Sequence, residues 1–161
     1  MNSPLDTLAF SLEAARMMLN RFTEDLKPEE YLHRPVPKAN CAAWTIGHLI
    51  MAERRLGSRI GPAFPEIPAG FERRFAREEG APQAAEFGDV TILRPLFNAH
   101  RDATIAAVKA LPIARLLEPV QSMIPTVNTL GELIAFMPLH QVMHVGQITI
   151  IRRSLGRPPI V

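Results

Sequence analysis

The chain has 161 residues, of which 47% are hydrophobic and 21% are charged, a composition typical of a globular protein. Its 18 Lys and Arg residues against 16 Asp and Glu residues give a net charge of +2, and the two signs are interspersed. The one-sided basic surface that nucleic-acid binding needs is therefore not expected, and neither is a nucleic-acid partner. The length suits one domain, so residues 1–161 are predicted to form a single helical bundle.

Cysteine usage and the N-terminus indicate a compartment. Cys41 is the only cysteine, so no internal disulfide can form, which fits a reducing environment. The start, MNSPLDTLAF, lacks the basic and apolar regions of a signal peptide. The most apolar stretch, 131–151, is interrupted by polar residues and is a poor membrane span. We expect a cytoplasmic protein without a membrane partner.

The first predicted helix runs from about Pro4 to Leu26. Ser3 suits the N-cap, and Pro4 suits the first helical position. Pro28 ends the helix, because proline cannot continue it. Apolar residues recur every three or four positions, as in a bundle helix: Leu5, Leu8, Leu12, Ala15, Leu19, Phe22 and Leu26.

Three more long helices are predicted, over about 42–60, 91–111 and 129–155. Thr129 and Glu132 form the T-x-x-E capping box that opens the last one. The segment 61–88 is rich in Pro and Gly and is unusually long for a loop, so it is either functional or contains a short helix, for which 71–79 is the candidate. Without predicted strands, the fold class is all-α: a four-helix bundle with a long crossover connection between helices 2 and 3.

The fourth helix carries two histidines where a core would hold leucine. Its inward stripe includes His140 and His144, four positions apart, so their side chains lie one above the other and can converge on one ion. The alternative is a pair of core histidines satisfied by hydrogen bonds. In the second helix, His48 lies one turn from Trp44 on an apolar surface. Alone, it would be read as a half-buried histidine at a helix edge.

These segments resemble the DinB/YfiT-like family of metal-dependent four-helix bundles, over almost the whole chain. In the second helix the resemblance rests on WTIGH (44–48), after the proline-containing connection 34–40. In the fourth it rests on HQVMHVGQI (140–148), followed by RRSLGRPP (152–159). The H-x-x-x-H-x-G-Q ending with its Leu-Gly-x-Pro stop is the more specific part.

The resemblance implies a three-histidine metal site at His48, His140 and His144. It also implies a bound divalent ion, nickel or zinc, and a homodimer. Relatives include thiol-dependent S-transferases and a thiol-dependent maleylpyruvate isomerase. Many members have Asp or Glu directly after the first histidine of the last helix, whereas this chain has Gln141. A carboxylate there could orient a ligand or move protons, so Gln141 bears on catalysis more than on metal binding.

Three other side chains are candidates for contact with the site. His100, on the apolar stripe of the third helix, is either a fourth ligand, a hydrogen-bond partner of a ligand or an ordinary core histidine. Gln147, one turn past His144, either hydrogen-bonds to the site or binds a neighbouring backbone group. Cys41 precedes the second helix, whose dipole could lower its pKa, although an isolated cysteine is more often inert.

Two functions from different classes fit these observations. Three neutral histidines leave a coordination position open for water or for a thiolate. The first function is therefore a metal-dependent enzyme with a small-molecule substrate, either a hydrolase or a thiol-dependent S-transferase that uses a low-molecular-weight thiol. The alternative is a non-catalytic metal-binding or interaction module of the stress-response type, in which the histidines only organise the bundle.

Overall fold

A computed structural model describes residues 3–75 and 87–160 of the chain. Within those residues the structure is helical, and the only strand-like pairing is an isolated bridge between Pro119 and Thr129. The all-α prediction is confirmed. The described α-helices are α1 (Pro4–Thr23), α2 (Ala42–Gly57), α3 (Phe71–Phe75), α4 (Leu93–Ala110) and α5 (Leu130–Ser154).

Two long helices begin with a reciprocal capping box. At α1 the Ser3 hydroxyl accepts from the Asp6 backbone N–H, and the Asp6 carboxylate accepts from the Ser3 N–H. At α5, Thr129 and Glu132 pair in the same way. Each box satisfies backbone donors that a helix start leaves unpaired. The predicted box at Thr129 is confirmed, and Asp6 completes one that the sequence analysis did not identify.

The helix ends differ from their predicted positions by a few residues. The first helix ends at Thr23 rather than Leu26, and a 3₁₀ turn over Pro28–Leu32 follows it. The second ends at Gly57 rather than residue 60, and the third begins after a 3₁₀ turn over Val90–Ile92. The short helix predicted over 71–79 spans Phe71–Phe75 as α3, and its last four residues lie outside the described chain. Such shifts are normal, since helix termini fray into 3₁₀ turns.

Helices α1 and α5 run in the same direction. The Gln141 side chain donates to the Ala15 carbonyl at 2.6 Å, and further along both helices Arg152 donates to the Phe22 carbonyl at 3.2 Å. Residue numbers rise together along the pair, which shows that the two helices are parallel.

Helices α2 and α4 are parallel as well. Glu53 pairs with Arg101, and one turn later Gly57 lies against the Thr104 hydroxyl. The chain must therefore travel back along the bundle between Gly57 and Leu93, because a parallel neighbour cannot follow through a short turn. The predicted long crossover between the second and third long helices is confirmed.

The two parallel pairs are antiparallel to each other. Asn20 of α1 contacts Asn98 of α4 at 3.1 Å, and Asn40, just before α2, contacts Gln147 of α5 at 3.3 Å. Apolar side chains from all four helices fill the space between them in two buried clusters. This arrangement places the N-terminal half of α2 against the C-terminal half of α5.

Helix α5 is long and apolar enough to cross a membrane, judged by length and composition alone. The core helix of a soluble protein passes the same test, and nearly half of the apolar stretch is buried against the rest of the fold. The predicted absence of a membrane partner stays a prediction.

A buried ion pair joins three of the long helices. Arg101 of α4 donates to both carboxylate oxygens of Glu53 on α2, at 2.9 and 2.8 Å, and to the Leu12 carbonyl on α1 at 2.9 Å. The two side chains are only 1% and 3% exposed. A bidentate pair with a third hydrogen bond is the geometry in which a buried charge pair offsets its desolvation.

We expect Arg101→Met to lower the free energy of unfolding by about 3–5 kcal/mol, because it leaves the Glu53 carboxylate buried without a partner. Urea denaturation measures the change. The double variant Glu53→Leu/Arg101→Met should recover much of the loss, since it removes both charges. Arg115→Met, which breaks the exposed pair with Glu118, is the matched control and should cost under about 1 kcal/mol. Equal losses in Arg101→Met and the control would contradict this account.

Candidate metal centre

Three histidines converge where α2 crosses α5. His48 projects from the middle of α2, and His140 and His144 project from successive turns of α5. Their candidate ligand nitrogens all lie within 4.8 Å of one another. Among the described residues this cluster contains no carboxylate and no cysteine. The structure therefore brings together the three residues predicted from sequence.

The closest approach in the cluster has the spacing of two ligands on one ion. The Nε2 atoms of His140 and His144 are 3.3 Å apart. Two nitrogens about 2.0–2.1 Å from a tetrahedral ion are separated by roughly 3.3–3.4 Å. The ring centroid of His48 lies 5.5 Å from the centroid of His140 and 4.9 Å from the centroid of His144. The donor set and its spacing therefore fit a divalent ion.

A hydrogen-bond chain fixes the ring of His144. Its Nδ1 lies 3.4 Å from the Gln147 Oε1, and the same oxygen accepts from the Asn40 amide at 3.3 Å. An amide oxygen accepts only, so the proton of neutral His144 belongs on Nδ1. The Nε2 lone pair then faces the cluster. Gln147 thus occupies the predicted position beside the site, and Asn40 is a contributor that the sequence analysis missed.

Aromatic rings line the cluster. The Trp44 indole stacks on His48 with centroids 4.8 Å apart and planes within 9°, and Phe136 stacks on His140 at 6.0 Å. His144 is buried, whereas His48 and His140 are half-buried. The site therefore lies at the edge of the bundle, reachable from solvent, and not in its closed interior as the helical stripe suggested.

Close packing of α3 against α2 explains why position 47 of the WTIGH segment is a glycine. A Cβ atom at this position would lie 2.1 Å from the Phe75 ring, so any side chain would displace that ring. Glycine lets α3 pack directly on α2 beside His48. Phe75 is buried, and nothing in the sequence around it indicated this contact.

His100 is engaged elsewhere. Its Nδ1 lies 2.8 Å from the Leu96 carbonyl and its Nε2 lies 3.2 Å from the Arg54 guanidinium. Burial and, to a smaller extent, the Arg54 charge lower the pKa of His100, which favours the neutral ring. Among the described residues, the metal-binding cluster does not include it. This geometry fits the interpretation of His100 as a core histidine whose nitrogens are hydrogen-bonded. It does not fit the interpretation of His100 as a fourth metal ligand.

Gln141 faces α1 and not the histidines. Its side chain is fully buried and donates to the Ala15 carbonyl. The absence of an acid at this position therefore does not count against catalysis, because the side chain here connects α5 to α1 and does not face the histidines. Cys41 is also buried, and burial raises the pKa of its thiol. The inert reading of Cys41 fits this better than a helix-activated thiolate.

Comparison with solved structures shows a fold similar to that of YfiT from Bacillus subtilis, characterised as a probable metal-dependent hydrolase with an unusual four-helix bundle topology. The TM-score is 0.69 and the sequence identity 14%, and the alignment covers 96% of this chain and 89% of that one. At this identity the likeness concerns the fold. No curated protein matches the chain in sequence.

A sequence model of the DinB superfamily matches residues 11–148, which include all three histidines and all four long helices in whole or in large part. With the bundle topology and the structural neighbour in agreement, the chain belongs to the DinB superfamily.

Proposed function

We propose that this protein is a metal-dependent hydrolase of a small molecule, with His48, His140 and His144 as the ligands of one divalent ion. The observation that carries the proposal is the 3.3 Å separation of the His140 and His144 Nε2 atoms, beside a third imidazole on a facing helix. The fold likeness to a probable metal-dependent hydrolase supports the same reaction class.

The ligand set is consistent with a reactive site. Three neutral imidazoles leave a coordination position free, the mark of catalytic rather than structural sites. When bound, a divalent ion supplies Lewis acidity and lowers the pKa of water toward about 7. We propose zinc or nickel, because imidazole nitrogens suit both ions.

The chain's own residues orient and shield the site. The Gln147 Oε1 accepts a hydrogen bond from the Nδ1–H group of His144, so that Nε2 faces the cluster. Trp44 and Phe136 each cover one ring face, of His48 and of His140, and these apolar rings beside the site strengthen its electrostatic interactions. The half-buried edges of His48 and His140 leave an approach for substrate.

Thiol transfer is the second candidate function. Among the described residues no carboxylate joins the cluster, so three neutral ligands leave the full charge of the ion uncompensated. An anionic ligand such as a thiolate is then favoured, and soft or borderline ions accept sulfur. A low-molecular-weight thiol would be the co-substrate, and stimulation of activity by added thiol would favour this candidate over hydrolysis.

We expect purified protein to bind close to one Zn²⁺ or Ni²⁺ per chain, and His140→Ala to abolish binding, because it removes one of three ligands. Isothermal titration and elemental analysis measure the stoichiometry. His33→Ala is the matched control, since His33 pairs with Ser154 and lies outside the cluster. Full-affinity binding in His140→Ala, or loss of binding in His33→Ala, would contradict the assignment.

Removing the metal should abolish hydrolysis of a chromogenic ester, with activity returning on addition of Zn²⁺ or Ni²⁺. The readout is 4-nitrophenol release before chelation, after it and after metal return. A chelated protein that keeps full activity would refute the proposed function. If chelation lowers the melting temperature strongly and the metal-loaded protein has no activity with esters or thiols, the non-catalytic module is the better interpretation.

We further propose a cytoplasmic homodimer. Helix α5 exposes an apolar stripe of Leu139, Val142, Met143 and Gly146, at spacings of three and four residues. Leu139 and Met143 are 64% and 61% exposed, and a contiguous apolar stripe on one helix is typical of a helix–helix interface.

Met143→Glu should convert the dimer to a monomer, because a carboxylate on this stripe would be desolvated in the interface. Light scattering after size-exclusion chromatography gives the mass. Phe10→Glu is the control, because Phe10 is a large apolar residue that is also mostly exposed, at 71%, but lies on the α1–α4 side. A dimer that survives Met143→Glu would exclude the α5 stripe as the interface.

A further inference from the structure

A cavity of about 330 Å³ lies beside the metal centre. One wall is α5, through Gln147 and Ile150, and the other is the connection that leads into α2, from Pro35 to Asn40. Gln147 also contacts His144, and Asn40 contacts Gln147. The cavity is therefore one side chain away from the histidine cluster.

The turn on the far wall holds Lys38 in an unfavourable conformation. The Ala39 N–H donates to the Val36 carbonyl at 3.1 Å, and Lys38 has φ of 67°. With Pro37 before it, this is a type II turn, in which the third position needs a positive φ and is normally Gly or Asn. Among the described residues, Lys38 is the only residue other than glycine that has a positive φ. The turn itself does not call for a lysine.

Among the described residues that line the cavity, Lys38 is the one with a charged side chain. Among the described residues no carboxylate forms an ion pair with it. The Arg34 guanidinium donates to the Ala39 carbonyl and so holds the backbone next to Lys38. The Lys38 ammonium, beside a cavity whose lining is largely apolar, favours a ligand with an anionic end.

We propose that this cavity binds the anionic end of the substrate, and that Lys38 is the residue that recognises it. The ligand class is a small ester or amide that carries a carboxylate or a similar anionic group several bonds from the scissile bond. The inference rests on the proposed hydrolytic site, because the scissile bond would face the histidine cluster while the anion contacts Lys38. Lys38 thus determines specificity and takes no part in bond cleavage.

Two matched esters test the proposal on the zinc-loaded protein: 4-nitrophenyl pentanoate, which is neutral, and 4-nitrophenyl hydrogen glutarate, which has the same chain length and a terminal carboxylate. We expect kcat/KM to be about tenfold higher for the glutarate ester, the size of one charge-assisted hydrogen bond. Lys38→Gly and Lys38→Gln should remove the preference through KM, and Lys38→Arg should keep most of it.

Lys38→Gly also separates recognition from structure. Glycine suits the positive φ, so the melting temperature should not fall although the preference is lost. Lys109→Gln, which removes an exposed lysine from the last turn of α4, controls for net charge and should leave the preference intact.

Binding of free glutarate to the zinc-loaded protein gives a readout independent of turnover. Isothermal titration should show a Kd about tenfold weaker for Lys38→Gly than for the wild type. Equal kcat/KM for the two esters, with glutarate binding that does not depend on Lys38, would overturn this inference and leave the hydrolase proposal standing. Hydrolysis of neither ester, with Lys38-dependent glutarate binding, would overturn the hydrolase proposal and keep the anion site.

Discussion

The guanidinium of Arg101 fixes how α2 is turned about its own axis. It holds Glu53 against α4 and reaches the Leu12 carbonyl on α1. Glu53 is five residues after His48, which is roughly 140° around a helix. Because Glu53 must face α4, His48 must face away from it, toward α5. The buried Glu53–Arg101 pair, which is not part of the histidine cluster, thereby orients His48.

A hydrogen bond between uncharged groups fixes how α5 is turned about its own axis. Gln141 is anchored on the Ala15 carbonyl of α1, and the two histidines lie at neighbouring angles on the same helix, about 60–100° away around the axis. With Gln141 turned toward α1, His140 and His144 turn toward α2. The polar contacts that hold the parallel pairs together are thus also the contacts that bring ligands from two helices to one point.

The sequence predicts the local features well. Periodicity, the capping box at Thr129 and the proline stops give four long helices in nearly the right places, because each depends on residues close together in the chain. The i,i+4 spacing of His140 and His144 is likewise local. Their partner His48 came from family resemblance, since no pattern within α2 reveals which helix it faces.

What the sequence could not predict depends on which helices are neighbours. The parallel arrangement of α1 with α5 decides that Gln141 binds a backbone carbonyl and does not meet the histidines. The pairing of α2 with α4 decides that His100 meets Arg54. Asn40, Phe136 and Phe75 join the site or its surroundings only through this packing. Without the helix topology, nothing would distinguish these side chains from ordinary core or surface residues.

The parallel stacking of Trp44 on His48 gives the protein a built-in optical reporter. The chain contains one tryptophan, so its ultraviolet emission arises almost wholly beside the candidate site. An open-shell ion such as Ni²⁺ or Co²⁺ held at the neighbouring imidazole would quench that emission, whereas closed-shell Zn²⁺ would leave much of it. Occupancy, and the kind of ion that occupies the cluster, can therefore be followed in solution without any attached dye.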